Sequence, residues 1–213
     1  MDQWDWEKII DKNDRNLETL KKTVNNIHKC ILATLATLKI KYPSIKVHLP
    51  EDLYFITSQE LLDMYPNLSS KEREYEITKE HKTVFIIGIG DKLSNGQAHD
   101  GRAPDYDDWK LNGDLIYYHE VLDCALEISS MGIRVDADSL IYQLETSNHT
   151  DRMRYRYHQM ILNNELPYTI GGGIGQSRLC MLLMGKAHIG EVQSSLWDEY
   201  TLKLARENGI IIL

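Results

Sequence analysis

Tyr168-Thr169-Ile170-Gly171-Gly172-Gly173-Ile174-Gly175-Gln176-Ser177-Arg178-Leu179 is the stretch on which the reading of this chain turns. A short β-favouring run, a glycine cluster and the apolar run Leu179–Met184 predict a strand that turns directly into a helix. Glycines at such a junction permit positive φ and let a ligand approach the backbone closely. The N–H groups at the start of the helix favour an anion. A dinucleotide fingerprint wants a third glycine where Arg178 stands, and a P-loop wants Lys followed by Ser or Thr. Neither fits. What remains is Gly173-x-Gly175-x-x-Arg178, a permanently charged fork one turn into a helix, suited to phosphate or carboxylate. The alternative is a tight strand–helix turn whose arginine pairs with a surface acid.

Working outward, Leu115–Tyr118 and Val121–Val135 read as two strands of a hairpin. Thr83–Ile87, continuous and β-branched, predicts a central strand covered on both faces. Leu53–Thr57 reads as a buried strand, with Ser58 capping a short helix that ends near Pro66. Ser69 and Glu72 have capping-box spacing and should start a helix to about His81. Asp136 or Asp138 caps a helix through about Thr146, and another runs roughly from Asp151 to Asn163. From about Glu7 to Lys41, Leu17, Leu20, Val24, Ile27, Ile31, Leu35 and Leu38 recur at steps of three and four, as in an amphipathic helix. Asp91 to Asn112 has no apolar period and reads as a long loop, functional or mobile. Strands at the centre and helices on the flanks give an α+β fold with antiparallel pairing, one domain over residues 1–213.

The chain has 213 residues and a net charge of −8, with 42% hydrophobic and 26% charged residues, an ordinary globular composition. The acidic balance argues against broad nucleic-acid binding but not against a nucleotide ligand. Cys30, Cys124 and Cys180 suggest neither a disulfide framework nor a zinc site. No run approaches membrane-spanning length, so a reduced, cytoplasmic protein is the default expectation. The histidines give no ligand spacing and no Ser–His–acid order.

Three further segments carry candidate chemistry. A hairpin turn centred on Glu120–Val121 would place Asp114 opposite Glu127. Facing carboxylates need neutralising, and a hard cation such as Mg²⁺ held with a substrate's phosphates would do so. Glu127 and Arg134 are seven apart, so they share a face only if the strand is interrupted, with Gly132 the plausible bulge. In Arg102-Ala103-Pro104-Asp105-Tyr106-Asp107-Asp108-Trp109, the aromatics should dock on something, and the acids could receive a substrate ammonium group. Gln3-Trp4-Asp5-Trp6 reads as a segment from the middle of a structure.

Together these residues resemble the ammonia-dependent asparagine synthetases, relatives of the class II aminoacyl-tRNA synthetases for aspartate and asparagine. The resemblance rests on Asp2–Glu7, Ser58–Leu62, Gly88–Gly90, Arg102–Trp109, Leu111–Asp114, Ser129–Asp138 and Thr169–Leu179. Gly173-x-Gly175-x-x-Arg178 is similar to motif 3 of the class II enzymes. The resemblance implies an antiparallel sheet flanked by helices, and ATP with Mg²⁺ used to make β-aspartyl-AMP. Ammonia then gives asparagine, AMP and pyrophosphate. It further implies that Arg178, with Gly173 and Gly175, holds the terminal phosphates of ATP. Asp114 and Glu127 would bind Mg²⁺ and phosphate, and Ile128 would line the nucleotide pocket. Gln3, Asp107, Ser130 and Arg134 would hold aspartate, with Asp5 nearby; Arg134, Arg178 and Asp107 would be the catalytic set.

Members of that family carry a leading segment before the Asp-Gln-Trp-Asp-Trp stretch, with the dimer-forming motif 1, the α-phosphate arginine of motif 2, and a lysine and an acid for aspartate. Many have a longer loop where this chain has only Lys110. The expectation is therefore the C-terminal part of a homodimeric enzyme, with a nucleotide-binding remnant or regulatory partner as the alternative. A tRNA-dependent synthetase is disfavoured, since no anticodon-binding domain or basic stripe is present.

Overall fold

The computed structural model describes residues 2–213. Six strands form one sheet in the order β1-β6-β5-β4-β3-β2. They are β1 (Gln3–Ile9), β2 (Tyr54–Thr57), β3 (Thr83–Ile87), β4 (Asp107–His119), β5 (Cys124–Arg134) and β6 (Thr169–Gly175). All neighbours are antiparallel except β2 and β3, which run parallel at one edge. Seven helices flank them: α1 (Leu17–Lys41), α2 (Ser58–Met64), α3 (Ser70–His81), α4 (Ala137–Thr146), α5 (Arg156–Leu162), α6 (Gln176–Met184) and α7 (Glu199–Glu207). The α+β reading holds.

Side-chain alternation decides what each face of the sheet meets. Phe85 and Ile87 of β3, Leu115 and Tyr117 of β4, Met131 and Ile133 of β5 and Ile170 of β6 pack on Leu20, Val24, Ile31 and Leu35 of α1 and on α6. The alternate residues Val84, Ile86 and Ile116 face the other way, against Ile56, Leu61 of α2 and Ile77 of α3. Helices α2 and α3 thus cover the β2–β4 end of that second face and reach the start of β5, where Ala125 packs against the same cluster. A cavity opens over β5, β6 and β1, where no such cover lies.

Several local expectations hold. Ser69 and Glu72 form a capping box on α3, and Asp136 caps α4 by accepting from the Ser139 N–H. Others are corrected. Residues Glu7–Ile9 are not helical: Gln3–Ile9 pairs with β6 as an edge strand, and α1 starts only at Leu17, capped by Asn16. Thr57, not Ser58, caps α2. β3 is buried on both faces yet lies one strand in from the edge. The segment expected as one helix over Asp151–Asn163 is a 3-10 turn at Thr150–Arg154 followed by α5. The loop ends at Tyr106, six residues earlier than expected, because β4 begins at Asp107. No helix among the described residues is long and apolar enough to cross a membrane.

Candidate active site

The glycine cluster is not a turn. Gly171 to Gly175 continue β6, and positive φ among the glycines occurs instead at Gly88, Gly90, Gly96, Gly185 and Gly209. What the sheet requires at Gly171 and Gly173 is the absence of a side chain. Gly171 lies between Glu7 of β1 and Gly132 of β5, and Gly173 between Asp5 and Ser130. A Cβ on Gly173 would stand 2.8 Å from Asp5 Oδ1, and one on Gly171 would be 2.5 Å from Arg134 Nη2. The side-chain-free strand is a trough through which its neighbours' polar groups meet.

The hairpin register explains which groups meet. Asp114 pairs with Ser130, and Glu127 pairs with Ile116, so the expected Asp114–Glu127 pairing is corrected. The register shifts between Leu115 and Ile116, leaving Ile128 as an extra residue on β5. That irregularity, not one at Gly132, breaks the odd spacing between Glu127 and Arg134 and lets both line one cavity. A second shift in β4, between Asp107 and Asn112, sets Asp107 opposite Arg134. Gly132 serves clearance: a Cβ there would lie 2.9 Å from Asp107 Cγ.

The cavity, about 330 Å³, is lined by every residue anticipated for the site except Asp114. Gln3 and Asp5 come from β1, and Gly173 and Gly175 from β6. Arg178 comes from α6, Glu127, Ile128, Ser130 and Arg134 from β5, and Asp107 from the start of β4. Asp114 lies beneath, buried, its carboxylate held by Arg102.

Arg134 is clamped. Nη1 donates to Asp107, Nη2 donates to Glu7 Oε2 at 2.7 Å and to Tyr106 Oη at 3.0 Å, and the guanidinium lies 4.0 Å from the Tyr106 ring centroid. Burial pushes the Asp107 carboxyl above its ordinary range, against the pull of Arg134. Arg178 donates Nη1 to the Glu127 carbonyl at 3.1 Å, and the same nitrogen stands 3.9 Å from Glu127 Oε1. Helix α6 starts after Gly175 with no side chain capping it, its first N–H, that of Gln176, donating to the Asp2 carbonyl at 3.0 Å, and Gly175 and Arg178 of this helix start line the cavity. Glu127 is pushed upward first by burial and then by the charge of Asp114.

The effect of the Asp114 charge on Glu127 is what a hard cation would relieve. Among the described residues no three His, Cys, Asp or Glu side chains gather as a complete metal cage. Two carboxylates suit Mg²⁺, which usually completes its shell with water and substrate phosphates.

Sequence reading missed Glu7 and Arg102. Glu7 was legible: Gln3, Asp5 and Glu7 alternate with Trp4, Trp6 and Lys8, the period of a strand. Arg102 had no such signal, because only the loop's path brings it to Asp114. Of the aromatics expected to dock, Trp109 is buried, whereas Tyr106 is half exposed and covers Arg134.

Residues 1–209 match the aspartate-ammonia ligase family. This chain belongs to the aspartate–ammonia ligase family. An aspartate–ammonia ligase of Ligilactobacillus salivarius is 59% identical over the whole chain, which covers 64% of that relative. One from Clostridium perfringens is also 59% identical, with 63% of its length covered. The chain thus spans under two thirds of these ligases. Solved structures agree on the fold. An aspartyl-tRNA synthetase from Entamoeba histolytica superposes with a TM-score of 0.62 at 16% identity, over 93% of this chain and 43% of that one. An asparaginyl-tRNA synthetase from Pyrococcus horikoshii, complexed with asparaginyl-adenylate, gives 0.59 at 16%, over 88% and 45%. The fold of this chain is therefore that shared with these class II synthetases.

Proposed function

We propose that the cavity over β1, β6 and β5 is where L-aspartate and ATP react in asparagine synthesis. An oxygen of the aspartate β-carboxylate attacks the α-phosphorus of ATP, the bond to the β-phosphate breaks, and pyrophosphate leaves. Ammonia then attacks the β-carbonyl carbon, the bond to the AMP oxygen breaks, and a proton passes from nitrogen to solvent. Asparagine and AMP result. Such chemistry needs positioning and charge neutralisation more than a protein nucleophile.

The observation that carries this reading is one cavity with two differently built arginines. Arg134, walled by Asp107 and Glu7, offers a carboxylate site beside acids that suit an ammonium group. Arg178, at an uncapped helix start, offers an anion site. In the proposed complex Arg134, Gln3 and Ser130 bind aspartate, with Asp5 and Asp107 toward its amino group. Arg178 takes the terminal phosphates, and Ile128 and Glu127 flank the nucleotide against Gly173 and Gly175. Asp114 and Glu127 would hold Mg²⁺, which supplies charge neutralisation on the phosphates. The ligase names of the relatives and the adenylate bound by the Pyrococcus synthetase support the reading. We place the enzyme in the cytoplasm, as one domain of a homodimer, with no nucleic-acid partner.

Calorimetry on this chain tests it. Mg²⁺-ATP and L-aspartate should each bind, and Arg134→Ala should abolish aspartate binding while sparing ATP. Failure of the unaltered chain to bind either substrate would overturn the proposal.

A further inference from the structure

Arg102 sits on the loop between β3 and β4, and that loop is tied down along its length. His99 Nε2 lies 3.0 Å from Glu74 Oε1 of α3, with both side chains buried. The Ser94 N–H donates to Gln59 Oε1 of α2 at 2.9 Å, and Tyr142 Oη of α4 donates to Asp91 Oδ2 at 2.8 Å. A segment without apolar periodicity is thereby fixed by polar anchors on three helices. It delivers one guanidinium into the cavity.

That guanidinium forms part of the cavity wall. Arg102 donates through Nη2 to the buried carboxylate of Asp114 and through Nη1 to the Gly101 carbonyl at 3.1 Å, while its Nε is buried without a partner. It shares the cavity lining with Glu127 and Arg178 on the nucleotide side and with Asp107 and Arg134 on the aspartate side. No assigned residue spans the two halves in this way. In the proposed reaction the new bond forms where the halves meet, between the aspartate carboxylate and the α-phosphorus.

Resting on the proposed function, we infer that Arg102 is a catalytic residue whose guanidinium contacts the α-phosphate oxygens during adenylate formation. As the carboxylate oxygen bonds to phosphorus and the bond to pyrophosphate breaks, negative charge builds on the non-bridging oxygens. A fixed cation there is worth most at that moment. The competing account makes Arg102 only the counter-ion of buried Asp114.

The two accounts separate by calorimetry on the 213-residue chain with AMP and adenosine, which differ by the α-phosphate alone. Arg102→Ala should weaken AMP about 10–100-fold, the loss of a charge-assisted hydrogen bond, and leave adenosine unchanged. Arg102→Lys should recover part of the AMP affinity. To separate binding from folding, the comparison is repeated on Asp114→Asn, where no buried carboxylate needs neutralising. There the selective AMP loss on Arg102→Ala should persist. Equal weakening of both ligands, no weakening, or a loss that vanishes in Asp114→Asn would overturn the inference while leaving the proposed function standing. If the unaltered chain binds neither AMP nor adenosine, the nucleotide reading falls and the inference with it.

Discussion

Arg134 of β5 reaches over the side-chain-free Gly171 of β6 to hold Glu7 of β1, Nη2 to Oε2 at 2.7 Å. Three strands are thereby joined above the sheet by one ion pair, and the glycine is what lets them meet.

Gly171→Ala should break that pair. The new Cβ would overlap Glu7 Oε2 and stand 2.5 Å from Arg134 Nη2, so both side chains must move. Overpacking of this kind costs about 1–3 kcal/mol. A lower midpoint in thermal denaturation should accompany weakened aspartate binding, with ATP binding retained. An unchanged aspartate affinity would show that the Glu7–Arg134 pair does not shape that pocket.

Nucleotide binding should require Mg²⁺. ATP titrated in EDTA and in Mg²⁺ should differ for the unaltered chain, and Asp114→Asn should shrink the difference, because Asp114 and Glu127 are the proposed metal ligands. Equal affinity under both conditions would dismiss the metal assignment.

Arg178→Ala should erase discrimination between ATP and AMP, since AMP lacks the phosphates assigned to this residue. The lost charge-assisted bond corresponds to about 1.5–3 kcal/mol. If ATP keeps its advantage over AMP, Arg178 merely braces the Glu127 carbonyl, to which it donates at 3.1 Å.

The pH dependence has a defined sign. Burial and then the charge of Asp114 raise the Glu127 carboxyl above the ordinary carboxylate range, so the folded chain favours the protonated acid relative to the unfolded chain. The stability this contributes is present in full below the unfolded value and is lost as pH rises through the folded one. Between those limits the unaltered chain should lose stability relative to Glu127→Gln as pH rises, and the Gln variant should be the more stable near neutrality. Mg²⁺-dependent ATP binding should fall in the opposite direction, weakening as Glu127 protonates. Thermal denaturation and calorimetry across that interval check both; parallel stability curves for the two proteins would remove Glu127 as the titrating group.

Arg15→Ala should destabilise the whole chain. Arg15 Nη2 lies 2.5 Å from Asp108 Oδ2 and donates to Ser139 Oγ at 3.0 Å, and Asp108 is buried. Removing the cation leaves a buried carboxylate unpaired, at about 3–5 kcal/mol. Denaturant unfolding measures this, and restoration in Arg15→Ala with Asp108→Asn would confirm the cause.

The amino-acid sequence alone determined the features that repeat locally. Alternating and three-to-four apolar spacing marked most of the strands and the body of α1, and side-chain oxygens at fixed offsets marked the caps of α3 and α4. Gly173-x-Gly175-x-x-Arg178 and the long shared words were enough for the family. Tertiary structure decided the rest. β1 carries a strand-like alternation over Gln3–Glu7, but with exposed residues along nearly all its length it is the pairing with β6 that fixes it as a strand and sets which of its side chains reach the site. The glycines of β6 were read as a turn because backbone freedom is their usual use, whereas here they are absences of volume, visible only with both neighbouring strands in place. Asp114 met Ser130 instead of Glu127 because the hairpin turn runs over Glu120–Asp123, later than expected, which moves the pairing by two residues, and the extra Ile128 moves it by one more. Register is a non-local quantity, set by the packing of both faces at once, and no short window of sequence contains it.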